Sequence, residues 1–487
     1  MPAGFGGFLH MGDCERRPGA GGHTIPASVR LGGRPEKSPA PQGAQGGAGH
    51  VDWSAVSGIS HLTSYSDMFD QIVSIVSHDY AGCDGIAVLP DVEQRVSKLG
   101  SRSSHRHDAE FLRLVRYYLA CTGDPTLQLI KLGSNSSHDW SVGFTVRASA
   151  DCLYVDEVWD DDRLCKGDRI VSIDGELIAA FRADERRYAL FGVIPEREMW
   201  LHFIHYAKTI EVERASSGAR LNIEPEHNAL DARALAELEP VLYCDAKEDG
   251  CVYMRIDSLE DADAVAGVVF ENEGLIRRAD KLVLDLRHCK GGSFEGIEPL
   301  LPFLIDAPQS FADFMGELGL YCLYSKGNCD RMVESVEEQS RIEDWPEEEE
   351  QAEVERIEGL CDTGFVWEPA LLPDEWLVPV EPDEGPARVV VLCDSDCCGE
   401  AETLLCALKR QQKATILGRP SRGASDYQQL FTVNFDDDIL FVYPMAMTAA
   451  AHAGNGMRGV GVSPDVYVAW TPEELEDDVL LAKAIEL

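Results

Sequence analysis

The most constraining feature of this chain is an almost uninterrupted apolar run that ends in a pair of glycines. Residues 281–288, KLVLDLRH, lead into CKGGS at 289–293 and then into the apolar stretch GIEPLLPFLI at 296–305. A strand that is apolar on both faces belongs in a parallel sheet covered by helices on both sides. The succession of strand, glycine turn and helix therefore predicts an α/β domain. The backbone N–H groups of such a turn can bind an anion or an oxyanion, although a glycine pair after a strand is more often structural.

The α/β pattern extends over residues 241–487, with a second strand, turn and helix downstream. The predicted elements are a strand at 250–259, a helix at 261–279, a strand at 388–394, a helix at 400–410, a strand at 414–418, a loop, a strand at 439–447, a glycine-rich turn into a strand at 457–468, and a helix from about Thr471. This alternation of strands and helices is typical of an open parallel sheet.

Two amphipathic patterns precede this core and predict a helical N-terminal domain at 56–138. Apolar residues recur at helical spacing in 66–80, with Ser66 as the expected N-cap, and again in 108–121. Residues 1–55 are predicted to be a disordered tail, or sequence upstream of the natural start. The first 50 residues hold 13 of the 43 glycines and have neither an apolar period nor the core of a signal peptide.

Short runs that alternate apolar and polar residues predict a β domain at 139–240. Within it, LCKGDRIVSIDGELI places a polar turn before a strand and Asp174-Gly175 at a tight turn after it. This pattern resembles the second half of a PDZ domain, whose sheet edge can bind an extended peptide as an added strand. The resemblance assigns peptide binding to Gly167, Ile170 and Ile173. The alternative is a small β-barrel without a ligand.

The charge of the chain excludes two classes of partner. Lys and Arg total 43 against 85 Asp and Glu, a net charge of −42, so binding to nucleic acid or to an anionic membrane surface is not expected. No run of 18 apolar residues predicts a membrane span. An acidic insert lies near 334–386, and its segment 334–358 holds 12 acidic and two basic residues. We interpret it as a solvated helix or loop, with recruitment of basic partners as the weaker alternative.

Cysteine and histidine usage predicts neither disulfides nor a metal site. The 15 cysteines are odd in number and follow no export signal, which favours a reducing, cytoplasmic compartment. Cys393, Cys397 and Cys398 form the densest group, but no paired CxxC or Cys/His pattern of a zinc site accompanies them. His105 and His107 lie in a polar loop and are interpreted as surface residues. No metal and no cofactor is expected.

Several motifs in a fixed order resemble the tail-specific, or C-terminal processing, serine peptidase family. They are GDRIVSIDG, DLRHCKGG, VVVLCDSDCCGEAE and GVGVSPD, and the resemblance covers roughly residues 65–487. It implies a crotonase-like (ClpP-like) α/β core beside the helical and PDZ-like domains, and hydrolysis of peptide bonds near a substrate's C-terminus. The segment LGRPSRGASDY at 417–427 is similar to one branch of that family.

The same resemblance places a glycine where the family has its serine nucleophile. The family pattern is similar to Ser-Ala-Ser-Ala-x-Glu after an apolar strand, so its Glu matches Glu402 and its nucleophile matches Gly399. The Lys base of the better-known branch matches Ala424, and Asp426 is retained. Gly291 and Gly292 match the glycines on the oxyanion side.

Two other residues near position 399 are candidate nucleophiles. Cys398 precedes the nucleophile position and would need a base, for which His288 and His452 are candidates; Ser395 is four residues too early. Glu400 would place negative charge where an oxyanion forms. The sequence therefore predicts a catalytically impaired member of the family that binds peptides or protein C-terminal tails. The alternative is an active endopeptidase with a non-standard nucleophile such as Cys398.

Overall fold

The computed structural model describes residues 56–60, 64–83, 90–102, 105–131, 140–149, 151–183, 198, 200–226, 228–229, 241–248, 250–435 and 438–487. The tail predicted at 1–55 lies outside these residues.

The described strands and helices follow in chain order. The strands are β1 (Val56–Ser60), β2 (Gln128–Lys131), β3 (Trp140–Ser141), β4 (Phe144–Ser149), β5 (Cys152–Val158), β6 (Arg169–Ile173), β7 (Glu176–Leu177), β8 (Ile210–Glu213), β9 (Arg220–Ile223), β10 (Asn228–Ala229), β11 (Leu242–Ala246), β12 (Cys251–Ile256), β13 (Lys281–Asp285), β14 (Gln309–Ser310), β15 (Leu320–Tyr324), β16 (Gly364–Glu368), β17 (Pro379–Val380), β18 (Arg388–Cys393), β19 (Ala414–Gly418), β20 (Tyr427–Phe435), β21 (Ile439–Thr448) and β22 (Val466–Tyr467). The α-helices are α1 (Tyr65–His78), α2 (Pro90–Ser97), α3 (Asp108–Ala120), α4 (Ile178–Arg182), α5 (Trp200–Tyr206), α6 (Ala262–Ile276), α7 (Leu301–Leu304), α8 (Phe311–Met315), α9 (Lys326–Glu343), α10 (Glu347–Leu360), α11 (Glu400–Leu408), α12 (Ala449–His452) and α13 (Val479–Glu486). Short 3₁₀ turns lie at Phe294–Gly296, Glu298–Leu300, Asp374–Leu377 and Pro472–Leu475.

A parallel sheet forms the centre of the core and confirms the predicted α/β class. Its strand order is β11-β12-β13-β18-β19-β22, and every neighbouring pair from β12 onward is parallel. Each residue of β13 is buried. Apolar residues of α6 and α11 pack on one face and those of α13 on the other, so the apolar run at 281–285 is covered on both sides.

A second, mixed sheet binds the N-terminal helices to the C-terminal half of the chain. Its order is β1-β20-β21-β15-β16, with β2 also paired to β21. Helices α1 and α3 pack on this sheet in one shared hydrophobic cluster, which also includes residues of α9 and α10. The acidic segment is therefore two helices that rest on the core through Met332, Val336 and Ile357. Its glutamates cover the outer side.

The middle sheet, β4-β5-β6-β8-β9 with β7 on β6, has a separate core. The predicted tight turn joins β6 to β7, where Asp174 and Gly175 both have positive φ, 50° and 80°. In this order β4 and β9 are the two edge strands.

Three local predictions were wrong, each for a physical reason. The N-cap of α1 is Ser64, not Ser66, because the Ser64 side chain accepts the amide of Asp67. The loop predicted before residue 439 contains β20, which pairs with β21 on one side and with β1 on the other. The helix predicted after CKGGS is broken into 3₁₀ turns and the one-turn α7, where Pro299 and Pro302 remove helix donors.

Candidate active site

The site lies at the carboxyl ends of two neighbouring parallel strands, β13 and β18. Their register pairs Asp285 with Leu392, so the turns that follow both strands meet. The amide of Cys398 donates a hydrogen bond of 2.9 Å to the carbonyl of Cys289, which joins the two turns. The structure therefore brings together the two glycines predicted for the oxyanion side and the position predicted for the nucleophile. Ligands of open α/β sheets commonly bind at this edge.

Gly399 is the N-cap residue of α11, in a conformation that favours glycine. Its φ is 64° and its ψ is −138°. A Cβ at this position would lie 3.0 Å from the Lys290 carbonyl oxygen and 3.3 Å from the Gly291 Cα. The missing side chain would thus point at the Gly291 turn, as a nucleophile facing an oxyanion site would. A residue with a side chain would be strained here.

The carboxylate of Glu400 accepts a hydrogen bond from the backbone of the glycine turn. Gly292 N–H donates to Glu400 Oε2 at 2.7 Å, and Glu400 is only 9% exposed. Burial raises the pKa of Glu400, and the Gly292 hydrogen bond lowers it in part. A Cβ on Gly291 would lie 2.5 Å from the same oxygen. The glycine turn and the Glu400 carboxylate are therefore in close contact, and the N–H group that could stabilise an oxyanion already has an acceptor.

Cys398 lies beside this contact, in the wall of the site. Its side chain is buried, and its thiol donates to the carbonyl of Lys290 at 3.5 Å. Of the two candidate bases, His452 stacks on Tyr321, with ring centroids 3.8 Å apart. The other candidate, His288, lies closer to the turn that precedes Cys398.

His288 is held between the two aspartates of that turn. Its Nδ1 lies 2.9 Å from Asp396 Oδ2 and 3.2 Å from Asp394 Oδ2. The potential ligand atoms of these three residues lie within 4.8 Å of one another, as do those of His105, Asp108 and Asp438 in a second cluster. In each cluster a carboxylate forms an ion pair with an arginine of the chain, Asp396 with Arg422 and Asp108 with Arg102.

Glu402, which matches the Glu of the sequence pattern given above, holds the loop that contains Ala424. This carboxylate is fully buried. Its hydrogen-bond donors all come from the 421–425 segment: the hydroxyl of Ser421, the amides of Gly423, Ala424 and Ser425, and the hydroxyl of Ser425. The Ser425 hydroxyl also lies 2.9 Å from the Gly399 carbonyl oxygen, so the loop is fixed against the nucleophile position. Sequence reasoning located Glu402 but missed this role, for which only the serines and glycine of SRGAS gave a signal.

Asp426 fixes a second loop. Its Oδ2 accepts the amides of Met457 at 2.5 Å and of Arg458 at 2.6 Å, just before GVGVSPD. Its Oδ1 is buried and has no hydrogen-bond partner among the described residues. Burial raises the pKa of Asp426, and the two backbone hydrogen bonds lower it in part. The contacts of Asp426 are thus with the loop that borders the site.

Of the three residues assigned to peptide binding, Ile170 and Ile173 lie in β6 of the middle sheet and Gly167 lies in the turn before it. Gly167 has a φ of 87°, and its amide donates to the Val155 carbonyl at 2.8 Å. The side chains of Ile170 and Ile173 are 0% and 2% exposed, within the core of this sheet. They support the sheet from inside and do not face solvent. Strand addition at β4 or β9 would involve backbone groups instead.

Comparisons with known proteins agree with this architecture. Residues 330–468 match the model of peptidase family S41. Mature CPAF complexed with lactacystin is 12% identical with a TM-score of 0.56, over 87% of this chain and 97% of CPAF. Mature CPAF alone has 12% identity and a TM-score of 0.55, over 87% and 95%. The photosystem II D1 C-terminal processing protease is 15% identical with a TM-score of 0.39, over 85% and 94%. A comparison with curated protein sequences finds no match.

The chain thus has a fold similar to that of CPAF. More particularly, its residues 330–468 match peptidase family S41, which agrees with the family that the motifs predicted. Among the described helices, none has the length and apolar character needed to cross a membrane.

Proposed function

We propose that this protein binds peptides or the C-terminal tails of proteins and has lost the serine-dependent hydrolysis of its family. The observation on which the proposal rests is the pair Gly399 and Glu400. The nucleophile position has no side chain, and the next residue's carboxylate accepts the Gly292 amide that an oxyanion would need. Glycine cannot attack a carbonyl carbon. A carboxylate beside the oxyanion would oppose its developing charge.

The rest of the site supports retention of a binding role. The loops around Gly399 are held in place by Glu402 and Asp426, which together accept hydrogen bonds from both of them. Loops that are fixed in this way lower the entropic cost of ordering a ligand. The edge strands β4 and β9 offer backbone groups to an extended peptide. We also propose a cytoplasmic location, on the cysteine usage given above.

Peptide binding, as distinct from hydrolysis, can be measured directly. Fluorescein-labelled pools of short randomised peptides, titrated with the protein, should show a saturable rise in fluorescence anisotropy. Introduction of Trp at Gly291 places a bulky side chain against Glu400 and Gly399 and should weaken this binding, whereas Trp at the exposed Gly267, with no atom near its Cβ position, should not. Absence of any saturable binding would refute the proposed function.

An active endopeptidase with Cys398 as nucleophile is the second candidate. The observation that favours it is His288, whose Nδ1 is held by Asp396 as the orienting carboxylate of a catalytic triad would hold it. The Cys398 thiol is buried and donates to the Lys290 carbonyl, which disfavours its role as a nucleophile. This candidate predicts that a peptide bearing a thiol-reactive group labels Cys398, and that Cys398→Ala abolishes cleavage of the peptide pools. Labelling confined to other cysteines would argue against it.

A further inference from the structure

A cationic residue of the glycine-rich loop is joined to the site through its backbone. Arg458 donates its backbone amide to Asp426, which directly follows Ser425, and Ser425 contacts the carbonyl of Gly399. The Arg458 side chain extends toward the end of the N-terminal helices, where its Cγ lies 3.9 Å from a Cβ built on Gly123. It is half-buried. Arg458 therefore stands between the N-terminal helices and the loops around the nucleophile position.

The guanidinium group is positioned by neutral partners. Its Nη1 donates to the Gly82 carbonyl at 3.1 Å and lies 3.5 Å from the Tyr80 hydroxyl. Its central carbon lies 5.3 Å from the centre of the Tyr427 ring. These contacts orient the group, and none of them neutralises its charge.

Asp124, a buried carboxylate whose charge acts on Arg458, is occupied by other donors. Asp124 accepts the Tyr80 hydroxyl at 2.6 Å, together with the amide and hydroxyl of Thr126 at 2.9 and 2.6 Å. From Arg458, Asp426 accepts a hydrogen bond of the backbone amide and none of the side chain. Its Oδ1 has no hydrogen-bond partner among the described residues. Within the described part of the chain, Arg458 thus forms no ion pair, and its Nε and Nη2 donate to no residue. This is notable in a protein with a net charge of −42.

We propose that Arg458 binds a carboxylate of the peptide that occupies the site, an inference that rests on the proposed function. A guanidinium group with two adjacent N–H groups available matches a planar carboxylate in a bidentate geometry. Tyr80, Tyr427 and Gly82 hold the group in place, so little side-chain entropy is lost on binding. The carboxylate has two sources, the C-terminus of the peptide or an Asp or Glu side chain within it.

The test uses the full chain and labelled peptide pools of three kinds, whose affinities are compared by fluorescence anisotropy. One pool has a free C-terminus and no Asp or Glu, the second is the same with a C-terminal amide, and the third has the amide and contains Asp and Glu. The wild type should bind the first or the third pool about tenfold more tightly than the second, and the pool preferred identifies the source. Arg458→Gln should remove the preference and Arg458→Lys should retain part of it.

A variant of a second arginine, Arg116, is the control. Arg116→Gln removes an arginine that donates to a backbone carbonyl of β2 and should leave the preference intact. Equal affinity of the wild type for all three pools would overturn the role of Arg458 while leaving the proposed function standing. A preference that survives Arg458→Gln would likewise overturn it. Absence of binding to every pool would refute the proposed function and the inference with it. Because the comparison among pools is made on the wild type, it holds even if a variant fails to fold.

Discussion

The amide of Gly292 donates a hydrogen bond of 2.7 Å to the carboxylate of Glu400, beside the position where a serine nucleophile would stand. This contact links the turn after β13 to the first turn of α11. It gives the Gly292 N–H group a hydrogen-bond acceptor from the same chain. The glycine at position 399 is therefore accompanied by a carboxylate on the neighbouring Gly292 amide, and a hydroxyl introduced at position 399 alone would leave that contact unchanged.

Glu400 should make the fold respond to pH in a definite direction. Burial raises the pKa of Glu400 above its unfolded value, so the protonated form is favoured in the folded state. Its stabilising contribution is complete below the unfolded pKa of about 4.3 and is lost as the pH rises through the folded pKa. Glu400→Gln, which keeps an acceptor for Gly292, should be more stable than the wild type at neutral pH. Urea unfolding of both proteins across this range measures the difference, which should vanish toward pH 4. A constant difference would contradict the prediction.

A serine at position 399 should not restore hydrolysis. Gly399→Ser places a side chain at a φ of 64° and near the Lys290 carbonyl, which should cost about 1–3 kcal/mol of stability. The base position remains Ala424, and Gly292 remains occupied by Glu400. Gly267→Ser, at an exposed helical glycine with no close neighbour, is the matched control and should leave the melting temperature nearly unchanged. Cleavage of the peptide pools by Gly399→Ser would show that the altered environment is no obstacle.

The loop that contains Ala424 should depend on one buried carboxylate. Glu402→Ala removes the acceptor of three backbone amides and two hydroxyls, and should lower the free energy of unfolding by about 3 kcal/mol. Hydrogen exchange at 421–425 should accelerate more than exchange in β13. Glu317→Ala, at an exposed position, serves as the control. Unchanged exchange in 421–425 would disprove the role assigned to Glu402.

How much of this site the sequence could predict depends on the kind of interaction. The apolar runs at 281–285 and 388–393 identified two buried strands, and the glycines after them could be expected to meet because parallel strands end at one edge. The sequence also predicted the negative charge of Glu400 on the oxyanion side, but not its hydrogen bond from Gly292 or the donors to Glu402, since these depend on the geometry of loops. Strand β20 was missed; it pairs locally with β21 in a hairpin and with β1 from the distant N-terminal part of the chain. Ile170 and Ile173 matched a motif, but their side chains form the core of the sheet.

A buried ion cluster should make the junction of the N-terminal helices with the β20–β21 hairpin sensitive to acid. Burial alone would raise the pKa of Asp108, but hydrogen bonds from Lys131, Tyr65 and Arg102 lower it to about 2. The resulting stability is present above the unfolded pKa of about 3.9 and is lost as the pH falls through about 2. Asp108→Asn should therefore cost about 2 kcal/mol or more near pH 6, with a smaller difference from the wild type near pH 3. A difference that does not depend on pH would contradict this.

The central claim, that the site binds peptides without cleaving them, is tested most directly by measuring binding and cleavage in the same sample. The wild-type protein is incubated with the labelled peptide pools at a concentration at which anisotropy shows most of the peptide bound, and the pools are then examined by mass spectrometry. We predict saturable binding and peptides of unchanged mass over many hours. New cleavage products that disappear in Cys398→Ala, or in any single substitution between residues 395 and 402, would contradict the account.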